Sequence, residues 1–356
     1  MKSSLNVPEI SIPDDISASL RSTEAAWERF ISTGEFFEGD EPREVIAEGW
    51  QRCKTLGIDP YEERARSVIS YEEVDARLHK ENLGLSGKVV LDRMAQTVED
   101  TGHVIVLADK AGRILYSVGH ERVRDQLESI NFRPGGDWSE EFVGLNGIGT
   151  PLALGKPEII LGSEHYCEGW KPWVCYGAPI HNPSDHSIIG CIDITGPVGK
   201  AQAEAMALSV SIAHSIEFYL STVLLRRRES LRGTYATLEK RFPNDALLVL
   251  DETGNIIVAN NASLKLLELS TPSLMNDAFK QLYPELSMKV SECLQTGKES
   301  ECRVNLYNSI TGSARCAIKP IGDKDDRLGI AILFPSGKTV NKLDAEQTPV
   351  QKPKSN

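Results

Sequence analysis

A chain of 356 residues is long enough for two domains joined by helices, and a composition of 40% hydrophobic and 25% charged residues excludes disorder throughout. The formal charge of -12, from 39 basic against 51 acidic residues, excludes broad affinity for DNA, because neutralising phosphates rests on Lys and Arg. Seven cysteines without a dense framework, and an N-terminus with no apolar core, predict a cytoplasmic protein with reduced thiols and no membrane association.

Residues 1–41 are polar and proline-containing and read as a flexible lead-in; residues 42–100 read as helices packing on the domain that follows. From Pro42, Val45, Ile46, Trp50 and Cys53 recur at helical spacing until Gly57, where Asp59-Pro60 makes a turn. A second helical stretch covers Tyr71 to Val98, with a stripe at Val90, Met94 and Val98. Across 101–199 the period changes. His103–Asp109 and Arg113–Gly119 are apolar strands flanking a D-x-x-G turn, which predicts a hairpin. Glu158–Leu161, Val174–Ile180 and Ile188–Ile194 add three short strands, the last two joined by the turn-rich His181–Ser187. Antiparallel strands flanked by helices predict an α+β domain.

Residues 200–242 form one long predicted helix. Leu224, Leu231 and Leu238 repeat every seven, with Tyr235 and Phe242 interleaved, so Leu224, Leu231, Tyr235 and Leu238 are the candidate seam of a coiled coil and of a homodimer. Arg227 and Arg228 interrupt the stripe, and the competing reading is a connector that packs on its own domain. The longest apolar run, Ile216–Leu225, is about half a membrane span. Residues 243–335 repeat the strand, Asp, two residues, Gly, strand design in Ala246–Asn260. A helix over Ala262–Leu269 follows, capped by Asn260, then strands at Cys302–Tyr307, Ala314–Pro320 and Gly329–Phe334. Residues 336–356 read as a disordered tail or linker.

The segments Trp50–Pro60, Gly135–Tyr166 and Val174–Gly196 carry ordered blocks: W-S-E at Trp138, Gly-x-Asn-x-Ile-Gly-Thr from Gly144, Glu164-His165, Cys175 before Pro179-Ile180, and Gly190 through Asp193 to Gly196. These blocks resemble the sensory region of the sigma-54-dependent activators of acetoin catabolism and of the dihydroxyacetone operon. Leu145 and Gly147 depart from that family's usual Thr and Ala. The resemblance implies a GAF-like antiparallel sheet with flanking helices, a long connecting helix and a PAS-like domain. It also implies a small-molecule effector, and a transcription-machinery or regulator protein as partner. The family continues into an AAA+ ATPase and a helix-turn-helix. No G-x-x-x-x-G-K-[ST] loop occurs, since Gly337-Lys338-Thr339 lacks the preceding glycine, so this chain is expected to sense and relay without binding DNA directly.

A pocket needs apolar walls and a few convergent polar groups. Trp138, Phe142, Tyr166, Trp170 and Trp173 are candidate walls; Glu140, Asn146, Thr150, Glu164, His165 and Cys175 are candidate contacts. The competing reading is that these residues hold a long loop onto the sheet. Glu164, His165, Cys167 and Cys175 lack metal-ligand spacing, and no metal is expected. No histidine lies in 243–335 and no flavin-type cysteine motif occurs, so no cofactor is expected. Three functional readings result: a sensor, an interaction scaffold whose pocket stays empty, and a GAF-type methionine-sulfoxide reductase using Cys167, Cys175 or Cys191. The sensor is the preferred one, with no catalytic residues.

Overall fold

Short apolar runs build two sheets and period-3.6 stripes build the helices that cover them. The computed structural model describes residues 12–39, 42–66, 69–269, 275–306, 312–323 and 327–336. The chain divides into two α+β units, residues 1–223 and 224–356, each on a five-stranded antiparallel sheet.

In the first unit, α1 (Ile16–Thr33), α2 (Glu44–Leu56), α3 (Tyr71–Lys80) and α4 (Asn82–Glu99) precede the hairpin β1 (Val104–Asp109) and β2 (Ile114–Gly119). Helices α5 (Glu121–Ser129), α6 (Glu140–Val143) and α7 (Gly149–Leu154) follow. Then come β3 (Glu158–Leu161), β4 (Trp173–His181), β5 (Ile188–Pro197) and the long α8 (Glu204–Arg241). The strand order is β2-β1-β5-β4-β3.

Within the expected lead-in at 1–41, the described residues Ile16–Thr33 form α1, which corrects that expectation there. Asp15 caps it by accepting from the Ala18 N–H, and Ala26, Trp27 and Phe30 are buried along one face. Burying two aromatic rings contributes about 1.5–3 kcal/mol each, enough to dock a helix that polar flanks conceal in the sequence.

Alternation along β5 sends Ile192 and Ile194 into one core with Leu91 and Val98 of α4 and Ile212, Ala213 and Ile216 of α8. Cys191 faces the other core, with Trp50 and Cys53 of α2 and the aromatics of the 130–170 region; Asp193 and Thr195 share its side of the strand. Among the described residues, α8 is one helix long and apolar enough to cross a membrane. Its Ala205, Met206, Ile212, Ala213 and Ile216 are spent on the first sheet instead.

The second unit holds β6 (Ala246–Asp251), β7 (Ile256–Ala259), α9 (Asn261–Leu266), α10 (Met275–Leu282), α11 (Pro284–Thr296), β8 (Ser300–Asn305), β9 (Ser313–Gly322) and β10 (Arg327–Phe334). Its order, β7-β6-β10-β9-β8, places second, first, fifth, fourth and third strands side by side as the first sheet does.

The two D-x-x-G hairpins are the same device. Asp109 Oδ1 accepts from Ala111 N at 2.9 Å and Arg113 N at 3.1 Å; Asp251 Oδ1 accepts from Thr253 N at 3.0 Å and Asn255 N at 2.9 Å. Gly112 and Gly254 take φ of +79° and +78°, where a side chain would be strained. Asn260 caps α9 as expected, its Oδ1 accepting from Ser263 N at 2.9 Å.

One face of the second sheet packs Phe279 of α10, Leu286 and Val290 of α11, and Tyr283 between the two helices. On the other, Leu231 of α8 is wholly buried with Val249, Ile321 and Ala331, and Tyr235 and Leu238 pack beside it. Three of the four candidate seam residues thus cover their own sheet within one chain, while Leu224 is half-buried. The end of the predicted strand at Tyr307, and Gly337-Lys338-Thr339 with the tail beyond 336, lie outside the described residues.

Candidate functional site

The chain between β2 and β4 folds over the α2-facing side of the first sheet, and indole N–H groups pin it there. Trp138 Nε1 donates to Asn131 O at 3.1 Å, and Trp170 Nε1 to Val143 O at 2.9 Å. From outside this segment, Trp50 and Trp27 donate to Glu164 O and Tyr166 O, both at 2.8 Å. Trp138 packs between Phe132, edge to face at 4.5 Å, and a tilted Trp170, at 4.6 Å between centroids. The expected walls Trp138, Trp170 and Trp173 are all core residues, whereas Phe142 is exposed.

Glu140, Asn146 and Thr150 converge as one network. Asn146 Oδ1 accepts from Ile148 N at 2.8 Å and Gly149 N at 3.0 Å, and its Nδ2 donates to Gly144 O at 2.8 Å. Thr150 Oγ1 accepts from Asn146 N at 3.1 Å and donates to Glu140 Oε2 at 2.9 Å. Arg52 of α2 closes the network on Glu140 Oε1 at 2.7 Å, and this bond raises the pKa of the guanidinium. A G-x-N-x-I-G-T sequence folds this way because one Asn side chain serves three backbone groups that the tight turn leaves unpaired.

Glu164 belongs to a second network. Arg43 Nε and Nη2 grip its carboxylate at 2.8 and 2.9 Å, and Leu161 N donates to it at 2.8 Å. Arg43 Nη1 also reaches the buried Glu158 at 2.7 Å. Burial disfavours the Arg43 charge, but bonds to Glu164 and Glu158 outweigh it and hold the guanidinium above its ordinary range.

His165 is fully buried, and burial lowers its pKa to about 4, so the ring is neutral. Its Nδ1 lies 2.9 Å from Gly162 O and must carry the proton, which leaves Nε2 an acceptor without a partner.

Cys175 leads to Asp193 and Thr195, motif positions that are not among the candidate contacts. In register it faces Thr195, while Gly177 faces Asp193. Thr195 Oγ1 lies 3.3 Å from Cys175 Sγ and bonds Asp193 Oδ2. Asp193 is fully buried, its Oδ1 has no hydrogen-bond partner, and burial raises its pKa to about 7. A protonated Asp193 can donate to Thr195, whose hydroxyl then donates to the Cys175 sulfur. Alternation along β5 from Cys191, already a candidate, was the available signal, since it places Cys191, Asp193 and Thr195 on one face.

Gly147 lies directly over this group. A Cβ there would stand 2.3 Å from Cys175 Cβ and 2.5 Å from Asp193 Oδ1, and one on Gly177 would stand 1.8 Å from Gly147 O. Those clashes give the physical reason for glycine where the resembling family has Ala. Leu145 is equally committed: its side chain would meet any Cβ on Gly49 at 2.0 Å, and its N–H donates to Cys53 Sγ at 3.2 Å.

None of the first unit's four cysteines suits nucleophilic catalysis, because burial pushes each thiol up: Cys53 to about 12, and Cys167, Cys175 and Cys191 above the ordinary range. Among the described residues no three His, Cys, Asp or Glu side chains gather as metal ligands. An open cleft of about 430 Å³ is lined by Glu99, Asp100, His120, Glu121 and Arg122, none of them a candidate.

Residues 21–218 match the family model described as the N-terminal domain of MimR. The acetoin dehydrogenase operon transcriptional activator AcoR of Bacillus subtilis is 30% identical over 72% of this chain and 40% of that protein. The propane 2-monooxygenase operon transcriptional activator MimR of Mycolicibacterium smegmatis is 28% identical over 72% of this chain and 42% of that protein. This chain thus spans less than half of each. The solved Escherichia coli DhaR(N)-DhaL complex contains a chain with a TM-score of 0.50 and 19% identity, covering 82% of this chain and 99% of that one, a likeness of fold. The resemblance to the sensory region of such activators holds, and these relatives are named as transcriptional activators rather than enzymes.

Proposed function

Because the chain belongs to the family of MimR N-terminal domains, we propose that it is the sensory module of a cytoplasmic, sigma-54-type bacterial transcription activator. A small polar organic effector is read on the loop-covered face of its GAF-type first unit. The observation that carries this reading is Asp193: a fully buried carboxyl with one oxygen unpartnered, beneath the Gly147 main chain. Buried polar atoms without partners cost about 1–3 kcal/mol each, and a ligand hydroxyl that satisfies one recovers that cost. The loop carrying Asn146 and Thr150 must then lift from the sheet to admit the effector. Trp138, Glu140, Glu164, His165, Trp173 and Cys175 frame the opening and hold its edges.

The relay runs through β5 into α8. Ile212 and Ile216 of α8 pack on the opposite face of the same sheet, and Glu217 accepts from His181 N at 2.7 Å at the end of β4. An effector biases α8 only if it prefers one arrangement of that helix over another. In the dimeric protein, Leu224 and its neighbours on α8 meet the second copy, and the PAS-like unit passes the bias to the transcription machinery or another regulator protein.

Thermal unfolding in the presence of small alcohols, diols and ketones tests this. Saturable stabilisation is expected, growing as the logarithm of ligand concentration above Kd. It is lost in Asp193→Asn and weakened in Trp138→Ala. No stabilisation by any of these compounds overturns the sensor reading and leaves an interaction scaffold.

A further inference from the structure

The second unit contains a thiol pair that no part of the sensor reading uses. Strands β8 and β9 pair with Cys302 directly opposite Cys316, and their sulfur atoms are 3.2 Å apart. A disulfide requires about 2.05 Å between sulfurs and about 4.4–6.8 Å between Cα atoms. Residues directly opposite on antiparallel strands stand about 4.5–5.5 Å apart at Cα. Bond formation therefore needs a sulfur displacement of about 1 Å and no backbone shift.

The two sulfurs are not equivalent. Cys302 lies on the edge strand and is the one cysteine of seven that keeps solvent exposure. Cys316 is fully buried in the core beside Val290 and Cys293 of α11, and burial pushes its thiol up. An accessible attacking sulfur and a buried resolving sulfur are thus already in register.

We propose that Cys302 and Cys316 form a thiol–disulfide modification site that is oxidised by hydroperoxides. The Cys302 thiolate attacks one peroxide oxygen. An S–O bond forms, the O–O bond breaks, and the departing hydroxide takes a proton to leave as water. The Cys316 sulfur then attacks the sulfenic sulfur. The S–S bond forms, the S–O bond breaks, and hydroxide leaves with the Cys316 proton as a second water. Two thiols are oxidised and one hydrogen peroxide is reduced to two waters. The product staples the sheet's edge strand to its neighbour, and a thiol reductant reverses it.

The full chain treated with hydrogen peroxide, quenched with a thiol-alkylating agent under denaturing conditions and digested with trypsin decides the question. Cleavage after Arg303 and Arg315 separates the two cysteines, so an intact bridge joins two peptides that are otherwise independent. The expected result is a loss of two of the seven alkylatable thiols, a chain lighter by two hydrogen atoms, and one cross-linked peptide pair cleaved by dithiothreitol. Cys302→Ser, which alters a partly exposed position and is checked for folding by circular dichroism, gives no cross-link. Full retention of alkylatable thiols, a bridge joining any other pair, or over-oxidation of Cys302 without a bridge overturns the proposal.

Discussion

Asp193→Asn offers the sharpest test of the buried acid on the first sheet. The folded pKa is raised to about 7 by burial, against about 3.9 for an unfolded Asp. Because the folded acid is the weaker one, the native state binds more protons than the unfolded state between those values, and stability falls as pH rises through the window. Three units at about 1.36 kcal/mol each give a penalty of about 4 kcal/mol, complete above about pH 7 and absent below about pH 4. Asn cannot ionise, so the variant should be more stable than wild type at about pH 8 and should converge with it near about pH 4. Urea unfolding followed by tryptophan fluorescence isolates the effect, since Trp27, Trp50, Trp138, Trp170 and Trp173 all lie in the first unit. A stability difference that stays flat across this range would refute the claim that burial raises the Asp193 carboxyl.

Gly147→Ala should lower first-unit stability by about 1–3 kcal/mol, because the new methyl meets the Cys175 Cβ and the backbone pressed on Gly177 has no room to yield; a wild-type fluorescence melt would show that the loop is not seated on the sheet. Arg43→Met should cost about 3 kcal/mol in the same assay by leaving Glu158 and Glu164 buried without their cation, and Glu164→Gln in the Met background should recover part of it. Leu231→Ala should destabilise the second unit by about 2–5 kcal/mol, read by hydrogen exchange of β6 and β10, since its side chain lies wholly within that sheet's core. Leu224→Asp, half-buried on the same helix, should yield monomers by light scattering; an unchanged mass would sink a dimer through this part of α8.

Much of the local design is legible in the residues alone. The continuous apolar runs at Val104–Asp109 and Ala246–Asp251, the D-x-x-G turns between strands and the Asn260 cap depend on neighbours within a few positions, so their physics is contained in short segments. The ordered motifs from Trp50 to Gly196 likewise carry the family without reference to geometry. What the tertiary structure decided is which partner each side chain meets across long separations. Trp138 and Glu164 read equally well as pocket contacts or as struts. Only the fold brings Arg43 onto Glu164 across 121 positions and Trp50 onto its carbonyl across 114. The heptad on α8 is compatible with a second copy or with the chain's own sheet, and β6, β9 and β10 claim Leu231. Asp193 stood in the sequence as a motif position without an assigned role; β5 turns it inward beneath Gly147. A sequence states what each residue can do; burial and proximity, which depend on the whole chain closing on itself, decide what it has left to offer a ligand.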